Sequence, residues 1–148
     1  MFSEGCILYF TPFYFKNGNT AKPKYFIVLR NIDNNIILAS LPTRTNTLPN
    51  FLQAQHGCIN DDASCVSCYM FSKGKVICDN SFCFSLDTFI YGQQVDYYEL
   101  SMLEANYPIE NIDYEIIGVL LRPEYEAIVD CLKGSSSVKN KIKRYLNS

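Results

Sequence analysis

Ligand and nucleophile chemistry in this 148-residue chain rests on seven cysteines and one histidine. His56 and Cys58 stand ahead of Cys65-Val66-Ser67-Cys68. A Cys-x-x-Cys step is half of a tetrahedral zinc site, which His56 or Cys58 together with Cys78 would complete, and the same spacing would serve a redox pair of Cys65 and Cys68. No second pair at metal-binding spacing follows. Cys6, Cys78, Cys83 and Cys131 read as buried thiols acting as small hydrophobes. The expectation is therefore unliganded, reduced thiols and no cofactor, with zinc on His56, Cys58, Cys65 and Cys68 as the alternative. His56 alone titrates near neutrality in its unperturbed form, but spacing assigns it no Ser or Cys partner.

A second chemistry lies in the rings. Of 11 Tyr and 10 Phe, Tyr9, Phe10, Phe13, Tyr14 and Phe15 run directly into Lys16, with Lys22 and Lys24 close behind. Exposed rings beside ammonium groups can stack unpaired bases, each contributing about 1–3 kcal/mol. The same rings could instead fill a core or cover a dimer interface. A net charge of −2 and a pI near 5.3 exclude a protein whose whole surface attracts nucleic acid. A local basic groove is compatible with those values. Lys16, Lys22, Lys24, Arg30 and Arg44 all fall early in the chain, whereas most carboxylates lie beyond residue 60.

These groups must be positioned by a mainly β chain with appended helices. Hydrophobic residues at 48% and charged residues at 19% describe a globular protein, and the length suits one domain, 1–148. Strand-like runs occupy Gly5–Phe10, Tyr25–Arg30 and Asn35–Leu41, the last two joined as a hairpin at Asp33-Asn34-Asn35, with a polar loop over Lys16–Thr20. Pro42–Asp62 is irregular. Strand composition returns at Tyr69–Phe71, Val76–Cys78 and Cys83–Ile90, with Lys73-Gly74-Lys75 as a turn. Pro123 and Glu124 open a helix that Lys133 and Gly134 close. Ser137 caps a last helix whose apolar face is Val138, Ile142, Tyr145 and Leu146, and Leu100–Ala105 reads as a short helix. Neither a basic leader nor an apolar run of about 20 residues is present, so the expectation is a cytoplasmic protein with no membrane partner.

The order of several segments resembles the MazF/PemK toxin family. The segments are Gly5-Cys6-Ile7-Leu8-Tyr9-Phe10, then Lys22-Pro23-Lys24 leading into Tyr25-Phe26-Ile27-Val28-Leu29, then Ile37-Leu38-Ala39-Ser40-Leu41-Pro42-Thr43. Ser85-Leu86-Asp87-Thr88-Phe89-Ile90 and the passage from Ile117-Gly118-Val119-Leu120 into a helix are similar to that family's late elements. The resemblance implies an SH3-like small barrel with C-terminal helices. It further implies a metal-independent endoribonuclease that cleaves single-stranded RNA as a homodimer and is held inactive by an antitoxin.

It places the catalytic cation at Lys22 or Lys24 and the hydroxyl at Thr43 or Thr45, with Arg44 between them. Attack of a ribose 2′-OH on its phosphate, leaving a 2′,3′-cyclic product, builds negative charge that a cation stabilises, while a donor protonates the leaving oxygen. Tyr14, Phe15, Lys16 and His56 would contact the RNA. Lysine stands where the pattern has arginine before proline, and the two differ in phosphate geometry. A second reading is therefore a non-catalytic barrel that binds a protein or nucleic acid, including a protein-targeting toxin of the CcdB kind.

Overall fold

The computed structural model describes residues 2–41, 55–61, 63 and 66–148. Strands are β1 (Cys6–Phe13), β2 (Lys22–Ile32), β3 (Asn35–Leu41), β4 (Gly57–Asp61), β5 (Val66–Phe71), β6 (Thr88–Tyr91), β7 (Val95–Glu99) and β8 (Tyr114–Val119). Helices are α1 (Leu100–Asn106), α2 (Arg122–Lys133) and α3 (Asn140–Leu146). The protein is thus mainly β with appended helices. The strands form two antiparallel sheets, one in the order β7-β3-β2-β1-β8 and one in the order β4-β5-β6. Among the described residues neither sheet closes on itself.

The β2–β3 hairpin turns on Asp33 and Asn34, whose φ values of 50° and 63° are the left-handed pair that a tight two-residue hairpin requires. That turn fixes the register through Ile32↔Asn35, and Asp and Asn tolerate the conformation better than most residues. Alternate residues then face opposite sides. Ile7, Ile27, Leu29 and Ile37 join Phe71 and Ile90 of the small sheet, Ile128 and Leu132 of α2, and Ile142 and Leu146 of α3 in the larger core. Leu8, Phe10, Phe26, Val28, Ile36 and Leu38 face the other way, against Phe2, Leu103 of α1, Tyr107 and Tyr114. Burial on both faces explains why these strands are continuous apolar runs rather than alternating ones.

α2 begins with Pro123 in its first turn and Glu124 beside it, and ends with Lys133 before Gly134, whose N–H returns to the Asp130 carbonyl. Arg30 on β2 anchors both C-terminal helices. Its guanidinium donates to the Tyr125 hydroxyl and, at 2.9 Å, to the Leu146 carbonyl, while Tyr125 donates onward to the Leu29 carbonyl at 2.6 Å. This early basic residue is therefore a structural tie.

Several elements differ from the sequence reading. Gly57–Asp61 is a strand where an irregular stretch was expected, and Val95–Glu99 is a strand with no counterpart in the expectation. Of Val76–Cys78 only Cys78 makes a bridge, to Leu120, and of Cys83–Ile90 only the part from Thr88 onward pairs. The segment from Ile77 to Phe82 instead covers the outer edge of β8: Asp79 N–H donates to the Val119 carbonyl at 3.0 Å and Asn80 Nδ2 to the Ile117 carbonyl at 2.9 Å. Gly118 permits this approach, because a Cβ there would lie 3.0 Å from Cys78 Sγ. α3 starts at Asn140 rather than after Ser137; the serine segment makes tight turns, with the Ser135 hydroxyl bonded to that of Ser67.

Candidate functional site

Among the described residues β7 is an edge strand, so one row of its backbone groups has no neighbouring strand there. Side chains cover that row at Tyr97. Its N–H donates to Asp96 Oδ1 at 2.8 Å, and its carbonyl accepts from Lys16 Nζ, which also pairs with Asp96 Oδ2 at 3.3 Å. Lys16 reaches β7 because the chain turns just after β1, with Gly18 N–H bonded to the Phe15 carbonyl at 3.2 Å. Its ammonium lies 4.1 Å from the Tyr98 ring centroid and 4.8 Å from that of Tyr97. Lys141 of α3 approaches the Tyr97 ring at 4.1 Å. A hydrogen bond to Lys141 draws the Tyr97 phenol below its ordinary pKa and raises that of the lysine, whereas burial pushes the Tyr98 phenol up.

Lys16 separates two adjoining cavities. The larger, about 340 Å³, is walled by Tyr14, Tyr98, Glu99, Met102, Asn106 and Tyr107. Tyr14 is 61% exposed, its N–H donates to Tyr107 Oη at 2.8 Å, and the two rings lie 21° from parallel at 6.2 Å. The smaller cavity, about 250 Å³, is polar, with Asn17, Ser40, Gln93, Gln94 and Lys139 on its walls and Phe15 at its rim. Lys22 Nζ lies 5.8 Å from the Phe15 ring and places a further cation at that end. Rings, amides and ammonium groups thus line a furrow beside β7 made of two cavities that share Lys16 and Tyr98, suited to planar, anionic ligands.

Of the residues singled out in the sequence, Tyr14, Phe15, Lys16 and Lys22 meet at this furrow. Lys24 does not open onto it. It is buried, and burial followed by the like charge of Lys22 lowers its pKa. Thr43, Arg44 and Thr45 lie outside the described residues. Tyr97, Tyr98, Lys139 and Lys141 were missed. The adjacent tyrosines in Val95-Asp96-Tyr97-Tyr98-Glu99 were the available signal, since aromatic residues favour strands.

His56 lies elsewhere, at the junction of α2 and the small sheet. Its Nδ1 accepts the Ser72 N–H at 3.0 Å, which leaves Nε2 to donate to Glu124 Oε2 at 2.7 Å. The Tyr69 hydroxyl donates to the same oxygen, and burial first, then the Glu124 carboxylate, pushes that phenol up. His56, expected at the RNA, is here a half-buried tie between Ser72 and the first turn of α2.

Nearby, Cys58 is bonded to Cys131 across a Cα separation of 5.5 Å. This corrects the expectation of unpaired thiols and leaves Cys58 no thiolate to offer zinc. Among the described residues no group of three or more His, Cys, Asp or Glu side chains is placed to hold a metal; Cys65 lies outside them. Cys6, Cys68 and Cys78 are buried free thiols, and burial holds Cys68 up at about 11 and Cys78 at about 12. No helix is long and apolar enough to cross a membrane among the described residues.

Comparison with known proteins finds no match: no family model, no curated protein and no solved structure matches this chain.

Proposed function

We propose that the chain binds single-stranded RNA along the furrow beside β7. The observation that carries this reading is Lys16, held over the rings of Tyr97 and Tyr98 between two adjoining cavities. A strand laid there meets a ring-walled cavity on one side, amides on the other, and cations at Lys16, Lys22, Lys139 and Lys141. Stacking on rings with a basic track is how unpaired nucleic acid is held without reading every base. Asp96 neutralises part of Lys16, in keeping with modest, salt-sensitive affinity. The test is fluorescence anisotropy with a labelled oligoribonucleotide and its duplex. Preferential binding of the single strand, weakening as salt rises, supports the reading; no binding at low salt overturns it.

A second reading, RNA cleavage, is favoured by Lys22, which opens β2 and lies beside the Phe15 rim of the furrow. The MazF/PemK-type identity belongs to this reading, with its small barrel, homodimer, antitoxin and cytoplasmic setting; it is supported by the β1–β2–β3 meander and the β8-to-α2 passage. A non-catalytic binding barrel needs only the furrow. Incubating the protein with single-stranded RNA in excess chelator separates the two. Fragments ending in 2′,3′-cyclic phosphate establish cleavage, and bound but intact RNA leaves binding alone.

A further inference from the structure

We propose that the larger cavity is a guanine pocket, with the Glu99 carboxylate reading the base. The inference rests on the RNA-binding reading and names the base that the site selects. Glu99 is exposed at the junction of β7 and α1 and forms part of the cavity wall. It occupies the N-cap position of α1 yet makes no side-chain cap bond, and no salt bridge engages it among the described residues. Glu99, its carboxylate acceptors unused among the described residues, therefore borders a ring-walled space of about 340 Å³, at the small end of the range for ligand cavities.

The chemistry of the bases selects among them. An ionised carboxylate only accepts hydrogen bonds, and its two oxygens match two parallel N–H donors. Guanine alone presents two adjacent donors on its Watson–Crick edge, N1–H and the 2-amino group. Adenine and cytosine offer one amino donor beside a ring nitrogen acceptor that the carboxylate repels, and uracil offers one N–H flanked by two carbonyls. A splayed-out base read on that edge while stacked on an aromatic ring is the usual mode of single-strand recognition. Tyr14 supplies the exposed ring, and Lys16 at the cavity wall is placed for the adjoining phosphate. The Asn106 amide, also on the wall, offers a donor to the guanine O6 or N7 acceptors.

The test uses uridine-rich oligoribonucleotides carrying one central guanine, adenine or hypoxanthine, titrated against the full chain and against Glu99→Gln. The expected result is that the guanine strand binds at least about tenfold more tightly than the adenine strand. Hypoxanthine, which keeps N1–H and lacks the amino group, should fall between them. Glu99→Gln, checked for an unchanged thermal melt, should bring the guanine strand down to the level of the adenine strand. If all three strands bind the native chain equally, or if Glu99→Gln keeps the preference, the guanine pocket is overturned while RNA binding stands. If no strand binds, both readings fall.

Discussion

Lys16 Nζ and the Asp96 carboxylate, 80 positions apart in the sequence, lie 3.3 Å apart on the outer edge of β7. The pair is about half exposed on both sides, so its direct contribution to stability is small, about 0.2–1 kcal/mol. Its importance is positional, because it fixes an ammonium group between two cavities.

Lys16→Ala is therefore expected to leave thermal stability within about 1 kcal/mol of the native chain. Binding of single-stranded RNA should weaken, and the slope of log affinity against log salt should become shallower by about 0.7, the value for one lost phosphate contact on a single strand. Anisotropy titrations at several salt concentrations measure both. An unchanged slope would remove Lys16 from the RNA contact.

Glu124→Ala should destabilise the fold by about 3 kcal/mol, since it strands the His56 Nε2–H and the Tyr69 hydroxyl, both of which donate to one carboxylate oxygen. Glu124→Gln keeps an acceptor oxygen and should cost less. Urea denaturation of the two variants checks the order.

Cys58→Ser should lower stability under oxidising conditions by about 4 kcal/mol on the chain-entropy account, because the bridge closes a loop of 73 residues between β4 and α2. In excess dithiol the native chain and the variant should melt together. A gap that persists after reduction would mean that the bridge does not hold the fold.

Alkaline destabilisation has a definite sign. Burial raises the Cys68 thiol to about 11 and the Cys78 thiol to about 12 from an ordinary value of 9.0. Their contribution is complete below pH 9, where both states keep the proton. It is lost as pH rises through 9 toward 11 and 12, because only the unfolded chain releases the proton there, at about 1.4 kcal/mol per pH unit for each thiol. The partly buried Tyr98 phenol, also raised by burial, acts in the same direction at higher pH. Denaturation midpoints between pH 8 and 10.5 should fall, and fall less in Cys68→Ala than in the native chain.

The elements that the sequence announced are those with local signals. The Asp33-Asn34 turn, the Pro123 to Gly134 helix and the apolar runs of β1, β2 and β3 each carry their own chemistry, and all are present. β4 and β7 lack it. Gly57-Cys58-Ile59-Asn60-Asp61 follows a polar stretch, and β7 mixes Asp96 and Glu99 with its tyrosines because it is a half-exposed edge. Cys83 to Asp87 has strand composition without a strand partner, and its rings pack instead: Phe84 lies 5.4 Å from Phe71. The site was half legible for the same reason. Tyr14, Phe15 and Lys16 stand together in sequence, whereas Tyr97, Tyr98 and Lys141 join them only through the pairing of β3 with β7 and the return of α3. The Cys58–Cys131 bond depends on a contact between β4 and α2 that no spacing rule contains.

The side-chain cover over Tyr97 has a consequence for how the protein behaves in a crowded solution. An edge strand with a bare backbone invites another strand to add to it and begin an aggregate. Here the same ammonium that faces the furrow shields the Tyr97 carbonyl, while Asp96 occupies the N–H. On the proposed RNA-binding reading, position 16 thus serves both to meet the ligand and to shield the strand edge. A ligand that drew Lys16 away would also have to shelter the strand it left behind, so an occupant lying along β7 suits this edge better than one touching it at a single point.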